Sequence, residues 1–195
     1  QKPKILPKRR KSKPSQKLVE GRLRVAVGDA WTGLSRLWRA SLRLVNQTCE
    51  ERQLLHRSQH PRLLSEGFDT ASQQEAVRSE LLMAIAKQES RFSPSVSSPV
   101  GAIGLLQLMP ATAEELAGDS LSQEQLREPT RNAKLGARYL RQLLGQWEDN
   151  IVLAVASYNA GPGAASRWVT PDLKQDPELW VERIPYPETR LYTKK

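Results

Sequence analysis

The chain has 195 residues, 38% of them hydrophobic and 26% charged. That is the composition of an ordinary globular protein, and no apolar run is long enough to cross a bilayer. One cysteine, Cys49, and two histidines exclude an internal disulfide and leave no Cys/His cluster for a metal site. The net charge of +9 invites a nucleic-acid reading, but eight of those charges fall in residues 1–17. The remainder is close to neutral, and no nucleic-acid partner is expected for it.

Residues 1–17 carry Lys, Arg, Pro and Ser without an acid and read as a basic flexible tail or linker. Electrostatic contact of the tail with anionic lipid, nucleic acid or acidic wall polymers is the sharper alternative. The chain begins at Gln1 without a visible signal peptide, and is expected to be a piece of a longer one. Residues 18–65 read as a helical segment. Trp31, Leu34, Trp38, Leu42 and Val45 form an apolar stripe at helical spacing, which suits packing against a neighbouring helix better than ligand stacking. Pro61 and Gly67 place a boundary near residue 65.

Residues 66–195 read as one domain of short helices. Asp69 or Thr70 is expected to cap a helix running to about Ser90. Pro110 fits the first turn of the next, which Gly118 closes. Ser122 caps a short turn. A longer helix follows, with Leu135, Tyr139, Leu140, Leu143, Leu144 and Trp147 on one stripe. Asp149 or Asn150 caps another, stopped by Gly161-Pro162-Gly163. The stretch Val96–Leu108 has room for a small hairpin. The fold class is therefore mainly α, with at most that hairpin as β structure.

The first residue of chemical interest is Glu89. It shares a helix face with Leu82 and Ile85. A carboxyl group on a buried face, at the negative end of the helix dipole, is biased towards its protonated form. That is the form a general acid needs. The alternative is a side chain that turns past the helix end into solvent. No Asp or Glu lies between Ser90 and Ala113, so the loop after Glu89 lacks the second carboxylate of an ordinary glycosidase. Ile151, Ala154, Val155 and Tyr158 are expected on one face of a helix. The Tyr158 hydroxyl then needs a partner: Glu89, a bound ligand, or a backbone carbonyl. In Ile184-Pro185-Tyr186-Pro187-Glu188, the prolines force an extended approach, and Glu188 or Thr189 is expected to begin a helix.

Four stretches together resemble the catalytic domain of the soluble lytic transglycosylases, a lysozyme-like fold. They are Gln88-Glu89-Ser90; Ser98-Pro99-Val100-Gly101-Ala102 with Gly104-Leu105-Leu106-Gln107; Ser157-Tyr158-Asn159-Ala160-Gly161-Pro162; and Ile184-Pro185-Tyr186-Pro187-Glu188-Thr189-Arg190. Asn132 to Leu140 is also similar. The resemblance covers about residues 66–195. It departs at Leu106, where the family commonly has Met, and at Lys195, where the family usually continues into a further helix.

The resemblance implies that Glu89 is the single catalytic acid and base. It implies that Ser98, Gln107, Met109, Tyr158 and Glu188 line the substrate cleft, Glu188 contacting substrate and not acting as nucleophile. The implied reaction cleaves the bond between N-acetylmuramic acid and N-acetylglucosamine in peptidoglycan, with closure of a 1,6-anhydro ring. No cofactor is needed. The implied location is the periplasm or cell envelope of a bacterium, where the basic tail could touch membrane or wall. A lysozyme-type hydrolase and a catalytically inactive wall-binding module are the competing expectations. Nothing in the sequence sets the oligomeric state.

Overall fold

The computed structural model describes residues 19–24, 32, 33, 36, 37, 39 and 65–195. The chain divides into two compact units, residues 1–63 and 64–195. In the first, residues 19–24 are helical. Gly21 lies so close to the buried Leu37 that a Cβ would come within 2.8 Å of its Cγ. Glu20 pairs with Arg24 at 3.5 Å and also with Arg36. The basic tail and the stripe from Trp31 to Val45 lie outside the described residues.

The second unit is a succession of ten helices among the described residues: α1 (Ser65–Glu75), α2 (Ser79–Ser90), α3 (Pro110–Ala117), α4 (Gln123–Arg127), α5 (Pro129–Gln146), α6 (Ile151–Ala160), α7 (Pro162–Ser166), α8 (Asp172–Gln175), α9 (Pro177–Glu182) and α10 (Pro187–Thr193). The fold is mainly α. Where the sequence left room for at most a small hairpin, the loop between α2 and α3 holds two isolated antiparallel bridges, Ser97 with Ile103 and Ile103 with Leu108. Its peptide groups are held by side chains from helices on several sides, and it has no need of a sheet.

The amphipathic α5 is the hub, packing against α1, α2, α3, α4 and α6. Its stripe places Leu135, Leu140, Leu143 and Leu144 in the interior, as period 3.6 requires. One cluster on it joins Ile103, Leu108, Ala113, Leu116, Leu126 and Leu135. A second, around α6 and α9, joins Leu153, Ala156, Leu173, Trp180, Val181 and Ile184. The caps are chemically ordinary. Ser122 and Gln125 form a reciprocal capping box. The Asn150 carboxamide accepts from the Leu153 amide at 3.1 Å. Gly118 closes α3 with φ 73°.

The structure departs from the sequence expectations at three helices. The helix expected to run from residues 69–70 to Ser90 is two helices, with Asp69 and Thr70 inside α1 rather than at its cap. The break is made by Ala76 in the left-handed region, φ 51°, and closed by the Val77 amide donating to the Ser72 carbonyl at 3.0 Å. No Gly or Pro marks it. Secondly, α6 buries Leu153, Ala154, Ala156 and Ser157, whereas Ile151 is exposed and Val155 only half-buried. The helix is apolar on nearly every side, so spacing could not choose its inner face. Thirdly, the last helix begins at Pro187, before Glu188 and Thr189; proline is preorganised for a first turn.

Candidate active site

Glu89 sits in the last turn of α2, on the same side as the buried Leu82 and Ile85. Beyond it the chain reverses sharply. Arg91 and Phe92 both take positive φ, 54° and 64°, and their amides donate back to the Lys87 and Ala86 carbonyls. Such a left-handed stop strains residues other than Gly. Here the strain is offset by Phe92, which drops into the core edge-on to Phe68 at 6.3 Å between ring centroids. The helix thus ends with Glu89 facing a groove and with apolar packing behind it.

The floor of that groove is the loop that follows. Asn132 of α5, fully buried, accepts from the Leu106 amide at 2.8 Å and donates to the Ile103 and Leu126 carbonyls at 3.0 and 2.9 Å. The Ser90 hydroxyl lies 2.8 Å from the Leu105 carbonyl oxygen and donates to it. The Tyr158 hydroxyl donates to the Leu106 carbonyl at 3.0 Å. Helices α2, α5 and α6 therefore each grip the same few peptide groups. Gly104, at φ 85°, runs so close to α5 that a Cβ would fall on the Asn132 amide and within 2.8 Å of the Leu126 carbonyl. Gly136 is equally required, because a methyl there would overlap Leu106.

The resulting groove has a volume of about 420 Å³ and is lined by all six residues named from the sequence: Glu89, Ser98, Gln107, Met109, Tyr158 and Glu188. Their local chemistry differs. Ser98 Oγ accepts from the Ala102 amide at 3.0 Å, which leaves its proton free to donate. The Gln107 amide nitrogen is spent within the loop, on the Val96 and Gly104 carbonyls at 3.1 and 2.8 Å. Met109 is an exposed apolar lip, as is Val100. Glu188, in the first turn of α10, is exposed. Tyr158 takes the backbone carbonyl among its three expected partners, so it does not hold Glu89. Its ring lies 5.2 Å from that of Tyr139.

The residue that does hold Glu89 is Tyr192, four positions after Glu188 on α10. Its buried hydroxyl donates to Glu89 Oε1 at 2.7 Å. The sequence displayed Tyr192 at i, i+4 from Glu188, a spacing that puts both on one helix face. Nothing in that spacing said which other helix they would meet. Burial lifts the Glu89 pKa to about 6; the Tyr192 hydrogen bond opposes the rise and the nearby Glu188 charge adds to it. Burial also holds the Tyr192 and Tyr158 hydroxyls well above the ordinary phenol value, with the Glu89 charge as a further cause. Both tyrosines stay neutral donors. Among the described residues no group of three or more His, Cys, Asp or Glu is placed to hold a metal ion.

A helical domain with one half-buried carboxyl group at a helix end, facing an open groove, defines the lysozyme-like class. The Transglycosylase SLT domain family matches residues 66–181, and the chain belongs to that family. It is 43% identical over 118 residues to the soluble lytic murein transglycosylase of Salmonella typhimurium, a stretch covering 57% of this chain and 18% of that protein. It is 35% identical over 125 residues to the membrane-bound lytic murein transglycosylase F of Pasteurella multocida, covering 58% and 24%. The 70-kDa soluble lytic transglycosylase of Escherichia coli superposes with a TM-score of 0.79 at 27% identity, covering 95% of this chain and 29% of that one. The lytic transglycosylase Slt of Pseudomonas aeruginosa, solved as an inactive mutant, gives 0.73 at 31%, covering 94% and 29%. The chain spans less than a third of the length of each of these proteins.

Proposed function

We propose that this chain is a peptidoglycan lytic transglycosylase. Glu89 protonates the oxygen between N-acetylmuramic acid and N-acetylglucosamine. It then withdraws a proton from the muramic acid C6 hydroxyl, which attacks the anomeric carbon and closes a 1,6-anhydro ring. The observation that carries this reading is the state of Glu89: a groove-lining carboxyl whose pKa is lifted by burial to about 6. It is thus protonated in a useful fraction of molecules near neutral pH. An internal hydroxyl held beside the anomeric carbon gains from proximity and needs no second carboxylate to activate it. Among the described residues, Glu188 is the other acid lining the groove. It is exposed, and in this reading it contacts substrate. Membership of the family supports the same assignment, as does a solved complex of the 70-kDa enzyme with bulgecin A at a TM-score of 0.78.

In this reading Ser98, Gln107, Met109 and Tyr158 shape the sugar subsites, with Tyr158 and Gln107 acting chiefly by holding the loop. Residues 66–195 are the catalytic domain, residues 18–65 a helical segment, and residues 1–17 a basic tail that contacts the membrane surface or wall. The protein works in the periplasm or cell envelope of a bacterium. The deciding experiment is mass analysis of the fragments released from purified sacculi. Anhydromuramic ends, lost with Glu89→Gln, are expected. Reducing ends alone would make the protein a hydrolase, and binding without release would make it a wall-binding module.

A further inference from the structure

Asn159 lines the groove beside Tyr158 and was assigned no role by its position in the sequence. Its Oδ1 accepts a hydrogen bond from the Thr189 hydroxyl at 2.7 Å. Thr189 lies on α10 and is only 2% exposed, one residue after Glu188. A carboxamide has two distinct ends. With its oxygen taken by α10, the nitrogen is the end left to the groove. The other carboxamide there, Gln107, has its nitrogen committed to two carbonyls of its own loop. Among the described residues, Asn159 is therefore the side-chain amide of the lining left to donate to a bound molecule.

The acceptor it suits follows from the rest of the lining, which among the described residues contains Glu89 and Glu188 but no Lys or Arg. An anionic ligand group would be repelled there. A neutral acceptor is required, and the strongest one on an amino sugar is the carbonyl of its acetamido group. We propose that Asn159 is a further sugar-binding residue that donates its amide to an acetamido carbonyl, and that Thr189 is the positioning residue that sets which end of the amide faces the sugar. The proposal rests on reading the groove as a glycan site.

The test uses the chain carrying Glu89→Gln, so that nothing is turned over, and measures calorimetric affinity for a tetramer of N-acetylglucosamine and for the matching tetramer of glucosamine. Asn159→Ala is expected to weaken the acetylated tetramer by roughly three- to tenfold, the range for one neutral hydrogen bond, and to leave the de-acetylated tetramer nearly unchanged. Thr189→Val should weaken the acetylated tetramer in the same direction, and Thr189→Ser, which keeps the hydroxyl, should restore it. An Asn159→Ala variant that binds the acetylated tetramer as well as its parent overturns the proposal. So does an equal loss for both tetramers, or a parent that binds neither. Sacculus digestion by the unmodified chain reports separately on the enzyme reading. Acetyl-selective binding through Asn159 without release of fragments would sink that reading and leave this one standing.

Discussion

Glu89 is a residue whose two environments act in opposition. Burial raises its pKa, Tyr192 lowers it by hydrogen-bonding the ionised form, and Glu188 raises it again. The descending limb of kcat/KM against pH should therefore fall near pH 6, where the free enzyme loses its acid. Tyr192→Phe removes a donor to the carboxylate and should move that limb to higher pH. Glu188→Gln removes a like charge and should move it lower. A limb that stays in place in both variants would mean that Glu89 is not the titrating group. Stability carries the same sign information. Because the folded-state value lies above the ordinary 4.5, ionisation of Glu89 destabilises the fold progressively as pH rises through the interval from 4.5 to 6. At pH 7 the full cost is about 2 kcal/mol. Glu89→Gln should thus unfold later than the parent at pH 7 and show no such advantage at pH 4, while cleavage falls by roughly a hundredfold or more. Glu89 could be singled out from helix spacing alone, because an acid on an apolar face is anomalous. Tyr192 could not: its partner lies 103 positions away, and only the docking of α10 on α6 brings them together.

At the scale of elements, the loop between α2 and α3 depends on side chains rather than on a sheet. Asn132 satisfies one amide and two carbonyls of buried backbone. Asn132→Ala would leave the Leu106 amide and the Leu126 carbonyl unpaired in the interior, the Ile103 carbonyl keeping the Leu108 amide at 3.1 Å, at a cost of about 2–4 kcal/mol. Urea unfolding should register it. Gly104→Ala should be comparably damaging, since it combines φ 85° with a collision on the Asn132 amide. A normal unfolding midpoint for either variant would show that the loop does not rely on α5. The first three of the stretches that together resemble the family are linked by these contacts: Ser90 holds Leu105, Tyr158 holds Leu106, and Asn132 holds both ends of the turn. The sequence displayed the small residues of this loop and the long stripe of α5. It did not display that Tyr158 would bond a carbonyl there rather than Glu89, because an apolar helix such as α6 has no face that spacing can choose. The same applies to the break at Ala76, a left-handed residue with no Gly or Pro to announce it.

For the whole molecule, the groove lining among the described residues falls within residues 89–188, and residues 64–195 cluster as a unit of their own. Residues 64–195 expressed alone should therefore fold cooperatively and keep Glu89-dependent cleavage of soluble glycan fragments, as followed by fragment release and a single thermal transition. Loss of both would assign residues 1–63 a part in the catalytic fold. The concentration of charge in residues 1–17 leads to a further expectation. Their deletion should weaken sedimentation with anionic vesicles or sacculi in a salt-dependent manner without altering turnover of those soluble fragments. The mainly α class was legible in this chain from periodicity, and Glu89 stood out as an acid on an apolar face, while its catalytic role rested on the resemblance of the four stretches to a known family. The partners of Glu89 were not, because they depend on how helices distant in sequence come to pack.

The most direct test of the central claim is the titration of one carboxyl group. With glutamate side-chain carbons labelled, the Glu89 resonance, identified by its absence from Glu89→Gln, should titrate with a midpoint near 6, moving up in Tyr192→Phe and down in Glu188→Gln. A midpoint at the ordinary carboxylate value, unmoved by either substitution, would contradict the account.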